Sequence, residues 1–238
     1  MSWGRNKSAL SRAAIVAVLV TAAASAAANV LVVRSSGPSA KAYAPGRSLP
    51  DNAQLALRAG DTVVVLGANG TRTFRGPGNF SPSSTVQASA QTVQGSNGRR
   101  ARVGAVRGGP IIPSPNPATI WQVDPTQSGT ACLVPSIGVK FWRANAAQAE
   151  TLTITGPNGQ AQTVQWPAGQ EMLDWPTSVA LANDAEYQLR LSSSPVPSRI
   201  RVKTLDTTPQ SVQAVAESLI RNECSEQLDL LVAAQPSL

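Results

Sequence analysis

Few side chains in this sequence are equipped for chemistry, and the missing types narrow the field first. Histidine does not occur among the 238 residues. A Ser-His-Asp or Cys-His relay and a His-ligated zinc are therefore out of reach. So is the commonest side chain for proton transfer near neutrality. The acids nearest to a glycosidase pattern are Glu171 and Asp174, which flank Met172-Leu173 ahead of Trp175. Two facing carboxylates are the minimum for glycoside hydrolysis, and an indole offers a flat apolar face to a sugar. Trp166 and Trp175 form the candidate glycan platform. The plainer reading, solvated acids beside packed tryptophans, is preferred. Asn183-Asp184 supplies one amide oxygen and one carboxylate, too few for a calcium cage. Lys140 and Lys203 are the only lysines beyond residue 119; a Ser-Lys dyad needs a buried lysine near a serine, and Lys203 is expected on an exposed strand face. No catalytic residue, metal or cofactor is expected.

Arg99, Arg100, Arg102 and Arg107 could contact an anion: a phospholipid head group, lipopolysaccharide or an acidic protein face. A solvated linker is the competing reading and the favoured one. Nucleic acid is not expected, because no aromatics interleave with these arginines. Gly67-Ala68-Asn69-Gly70 and Gly76-Pro77-Gly78 do not fit a phosphate loop, since no GK[ST] and no helix follows. They read as turns. Cys132 and Cys224 are the only cysteines, so one intramolecular bridge is the sole pairing. No CxxC motif points to redox catalysis.

The charge is uneven. The net +7 divides into +11 over residues 1–110 and −4 over residues 120–238, which suggests two units with different surfaces. Charged residues are 14% and aromatics 4%, consistent with modest cores and many loops. Arg5, Lys7 and Arg12 precede an uncharged run from Ala13 to Val33. Ala24-Ser25-Ala26 and Ala26-Ala27-Ala28 both fit a signal-peptidase site. Residues 1–28 are thus expected to be a signal peptide. The alternative is an uncleaved inner-membrane anchor over residues 13–33. Either places the remainder in the periplasm, where the two thiols oxidise.

The elements that would carry these residues are mostly strands. Residues 34–50 are rich in Gly, Pro and Ser. Leu55 and Leu57 share a strand face, Thr62–Leu66 is a β-branched strand, and Thr71–Arg75 returns from Asn69-Gly70, read as a type I′ turn. Residues 83–118 read as a linker. Beyond it, strands are expected at 119–123, 131–134, 140–142, 152–155, 162–166, 186–191 and 199–203. Gly156-Pro157-Asn158-Gly159 forms a hairpin between the fourth and fifth. This spacing predicts an antiparallel β-sandwich-like domain over 119–238. Thr208-Pro209 opens one C-terminal α-helix whose apolar stripe runs from Val212 through Cys224 to Leu231.

The stretch PGRSLPDNAQLALRAGDTVVVLGANGTRTFRGPGNF resembles the periplasmic domain of FecR-type proteins, at Gly46, Leu49, Leu57, Gly60, Asp61, Val63, Gly70 and Thr71. The resemblance covers residues 42–82, within a small FecR-like β unit at 35–82, and implies a β fold and the periplasm. Members of that family pass a signal from an outer-membrane transducer to a cytoplasmic sigma factor. About a dozen residues precede the apolar run here, so the family's cytoplasmic domain is not expected, nor its sigma-factor role. The expected class is mainly β, and the expected function is a non-catalytic envelope interaction or signalling-accessory module. Its partner would be an envelope protein such as a membrane-bound sensor. A glycan- or lipid-binding domain is the alternative, and a carboxylate-based glycan hydrolase, which would need two of Asp124, Glu171, Asp174 and Asp184 to face each other across a cleft, a weaker one.

Overall fold

The computed structural model describes Met1, residues 29–82 and residues 119–238. Four consecutive apolar residues, Val30 to Val33, are all buried in β1 (Asn29–Ser36). A run without alternation suits a strand covered on both faces, and β1 is one. It lies inside a sheet with β2 (Ser48–Pro50) on one side, then β4 (Thr62–Gly67) and β5 (Gly70–Arg75) on the other. A separate ribbon pairs β3 (Leu55–Leu57) with β6 (Gly78–Phe80). One face of the larger sheet packs Val30, Val32, Leu49, Val63, Val65 and Phe74 against Leu55 and Leu57 of the ribbon. The other face turns Leu31, Val33 and Leu66 toward the C-terminal helices.

This strand takes Val30–Val33 out of the expected anchor over residues 13–33, because they are core. Residues 13–28 of that stretch lie outside the described residues. An uninterrupted apolar run does not by itself distinguish a buried strand from an apolar helix. Among the described residues, no helix is long and apolar enough to cross a membrane. The first β unit likewise begins at residue 29, not 35.

Asp61 fixes the turn between β3 and β4. Its carboxylate accepts the backbone N–H of Ser39 at 2.8 Å and of Arg58 at 2.5 Å. Gly37 must stay glycine beside it, because a Cβ there would stand 2.5 Å from Asp61 Oδ1. The β4–β5 hairpin turns on Ala68-Asn69, with Gly67 opposite Gly70. Positive φ falls on Gly70 (130°) and on neither loop residue, so the turn is not type I′. A Cβ on Gly70 would meet the Pro236 carbonyl at 2.2 Å, because the C-terminal segment runs along β5. There Thr71 N donates to Pro236 O, and Leu238 N to Thr71 O.

The second unit is the expected sandwich-like domain. Its larger sheet orders β11 (Ala161–Trp166), β10 (Glu150–Thr155), β13 (Ala185–Leu191), β14 (Ser198–Thr204) and β8 (Gly129–Leu133). The smaller orders β12 (Met172–Asp174), β9 (Lys140–Trp142) and β7 (Gln122–Val123). Strict alternation in β13 and β14 sends Tyr187, Leu189, Leu191, Ile200 and Val202 inward against Val123, Phe141 and Trp175. The Gly156–Gly159 hairpin joins β10 to β11, with Gly159 at φ 77°. Two pairings depart from the antiparallel expectation: β8 runs parallel to β14, and β7 parallel to β9. Alternation specifies which face is buried, not strand direction.

The single expected helix is two. Ser211 caps α1 (Val212–Arg221) by accepting the Ala214 N–H, so the cap is not Thr208. The chain breaks at Glu223 (φ 60°) and resumes as α2 (Ser225–Ala234). The apolar stripe continues across the break because both helices cover one cluster. That cluster joins Leu31, Val33 and Leu66 of the first sheet to Cys132, Val215, Ala216, Leu219, Cys224, Leu228 and Leu231. The Cys132–Cys224 disulfide, with Cα atoms 5.9 Å apart, lies inside it. The two β units therefore meet across the helices in a shared core.

Candidate functional site: a groove along the open edge of the sandwich

Among the described residues, β8 is the last strand of its sheet, and its outer edge is only partly covered. The Gln227 side chain projects from α2 and is 6% exposed. Its Oε1 accepts the Cys132 N–H at 2.6 Å, and its Nε2 donates to Cys132 O at 2.8 Å and to Ile120 O at 2.6 Å. One side-chain amide thus occupies the place of a neighbouring peptide group. Backbone groups alternate in direction along a strand. Leu133 O faces β14 and accepts from Leu205 N, while both Cys132 groups face Gln227. The Thr130 N–H and C=O, two residues back, must also face away from β14.

They open onto a groove of about 460 Å³ between β8, β7 and α2. Its floor is apolar, with Val123, Ala131, Trp142, Ile200 and Leu230. Its rim carries Asp124, Glu226 and Asp229. Arg34 of β1 is ion-paired with Asp229, and both also line a second cavity of about 630 Å³ between the first sheet and the helices. Asp124 Oδ1 accepts from Thr126 N at 2.8 Å and from Thr126 Oγ1 at 2.6 Å, which holds the carboxylate at the mouth. The Glu226 carboxyl is raised above its ordinary value, first by desolvation and then by the negative charge of Asp124 and Asp229. Three acids against one guanidinium make the rim acidic.

The residues singled out from sequence fare differently. Cys132 and Cys224 are bridged, and the bridge ties the N-terminus of α2, and so Gln227, to β8. Trp166 is 0% exposed and Trp175 8%, so neither offers a glycan platform. Trp166 lies beneath the Arg143 guanidinium, 4.8 Å from its ring centroid. Trp175 stacks on Phe141 and donates its indole N–H to Val179 O at 2.8 Å. An indole closes a core as readily as it lines a sugar site, and the sequence does not distinguish the two. Arg99, Arg100, Arg102 and Arg107 lie outside the described residues.

Two of the acids weighed for hydrolysis are held by lysines. Asp174 pairs with Lys140 on the smaller sheet. Asp184 pairs with Lys203 at 2.8 Å beside the larger sheet, and that lysine holds its carboxyl below the ordinary value. Glu171 is exposed. Asp124, weighed as a hydrolase acid, lies instead on the groove rim; Gln227, Thr130, Glu226 and Asp229 were not singled out from sequence. One signal was available for Gln227: it is a polar residue on the buried stripe, three after Cys224 and four before Leu231. No family model matches this chain, and no curated protein matches it.

Proposed function

We propose that this protein is a non-catalytic envelope module that docks another envelope protein along the open edge of its sandwich. One observation carries the reading: among the described residues, a strand edge is left partly unpaired beside an apolar-floored groove. Unpaired edges invite association, and folds usually cover them; here Gln227 covers one position and leaves the next. Three further features support it. The leader pattern of residues 1–28 and the disulfide both suit an oxidising compartment. The FecR-like stretch points to periplasmic signalling assemblies, with a membrane-bound sensor as the partner class. Two acids weighed for a hydrolase, Asp174 and Asp184, are engaged by lysines.

The test is photocrosslinking in cells that make the full chain. A crosslinker at Gln127, exposed on the groove rim, should give protease-sensitive adducts of discrete mass. The same group at Gln165, exposed on β11 at the opposite edge of the sheet, should not. Equal labelling at both positions, or none at Gln127, refutes docking at this edge. Adducts to glycan or lipid at Gln127 would replace the protein reading with the binding-domain alternative.

A further inference from the structure

We propose that the occupant of the groove is an extended, basic peptide segment that pairs with Thr130 as an added strand of the larger sheet. This rests on the docking reading above and specifies the chemistry of the partner. Three observations fix it. First, the Thr130 N–H and C=O face outward next to Cys132, whose outward pair already bonds an amide, that of Gln227. A peptide group seated at Thr130 continues the row that Gln227 begins. Second, side chains alternate along an added strand. One set would enter the apolar floor at Val123, Ala131 and Ile200, and the other would point to the rim. Third, that rim holds Asp124, Glu226 and Asp229, with Arg34 already committed to Asp229. Backbone pairing supplies affinity and the alternating pockets supply selectivity, as in other strand-addition sites. A peptide that alternates Lys or Arg with Val or Ile satisfies all three.

The experiment uses the full oxidised chain, ¹⁵N-labelled, and three probes: Ac-Lys-Val-Lys-Val-Lys-NH₂, its Glu-Val counterpart, and a lysine peptide N-methylated at its central residue. The lysine peptide should shift the amide signals of Gly129, Thr130 and Ala131 and slow hydrogen exchange at Thr130. N-methylation, which removes a backbone donor, should weaken binding about tenfold or more. The Glu-Val peptide should bind at least tenfold more weakly, and Glu226→Lys should reverse that order. An unchanged Thr130 amide with the lysine peptide overturns the proposal. So does equal binding of the N-methylated probe, which would leave side-chain contact alone, or equal binding of the acidic one. Concentration-dependent protection of Thr130 without peptide would assign the edge to a second copy of the chain and also overturn it. The in-cell crosslink at Gln127 stands apart from these results. Adducts there without peptide pairing would preserve the docking module and remove only the strand-addition partner.

Discussion

Replacing Gln227 with methionine keeps the length of the side chain and deletes all of its hydrogen bonds. Three are lost, to Cys132 N, Cys132 O and Ile120 O. At about 0.5–1.5 kcal/mol net for each, the loss is about 1.5–4.5 kcal/mol. Methionine gains about 1 kcal/mol from apolar burial. Water entering from the groove can reach the freed groups in part, so a net loss of about 2 kcal/mol is expected. The assay is urea unfolding of the oxidised protein. With a slope of about 2 kcal/mol per molar, the midpoint should fall by about 1 M. Gln213→Met is the control: the Gln213 amide donates to Glu217 on the same helix, and its replacement should shift stability by less than about 0.5 kcal/mol. Hydrogen exchange at the Cys132 amide should accelerate in the Gln227 variant alone. A Gln227→Met midpoint equal to that of the parent would refute the idea that this amide stands in for a strand.

The bridge closes a loop of 92 residues, so the Cys132→Ala, Cys224→Ala pair should lose about 4–5 kcal/mol, read as the drop in unfolding free energy against the oxidised parent. Trp166→Ala should cost about 3–5 kcal/mol, because a fully buried indole and the seat of Arg143 are both lost; thermal unfolding followed by circular dichroism checks it. The Glu226 carboxyl binds its proton more tightly folded than unfolded. Its contribution to stability is full below the unfolded value, near pH 4, and is lost as pH rises through the folded value. Glu226→Gln should therefore stabilise the protein at pH 7, with the gain vanishing below about pH 4, as measured by a series of denaturation curves across pH.

Local pattern was enough for much of the second unit. In β13 and β14 the alternation of apolar and polar residues states both the strand and its buried face, because a pleated strand has a period of two whatever surrounds it. The hairpin at Gly156–Gly159 was equally legible, since turn chemistry acts over four residues. The disulfide followed from there being only two cysteines. Long-range packing decided the rest. Val30–Val33 became a central strand because two layers cover it, and no residue within that run announces them. The break at Glu223 left no trace in the helical stripe, because α1 and α2 bury their stripes in the same cluster. The groove depends on β7, β8 and α2 meeting across a hundred residues of chain. A glutamine that looked out of place on an apolar stripe gains its meaning only when the fold sets a bare strand edge opposite its amide.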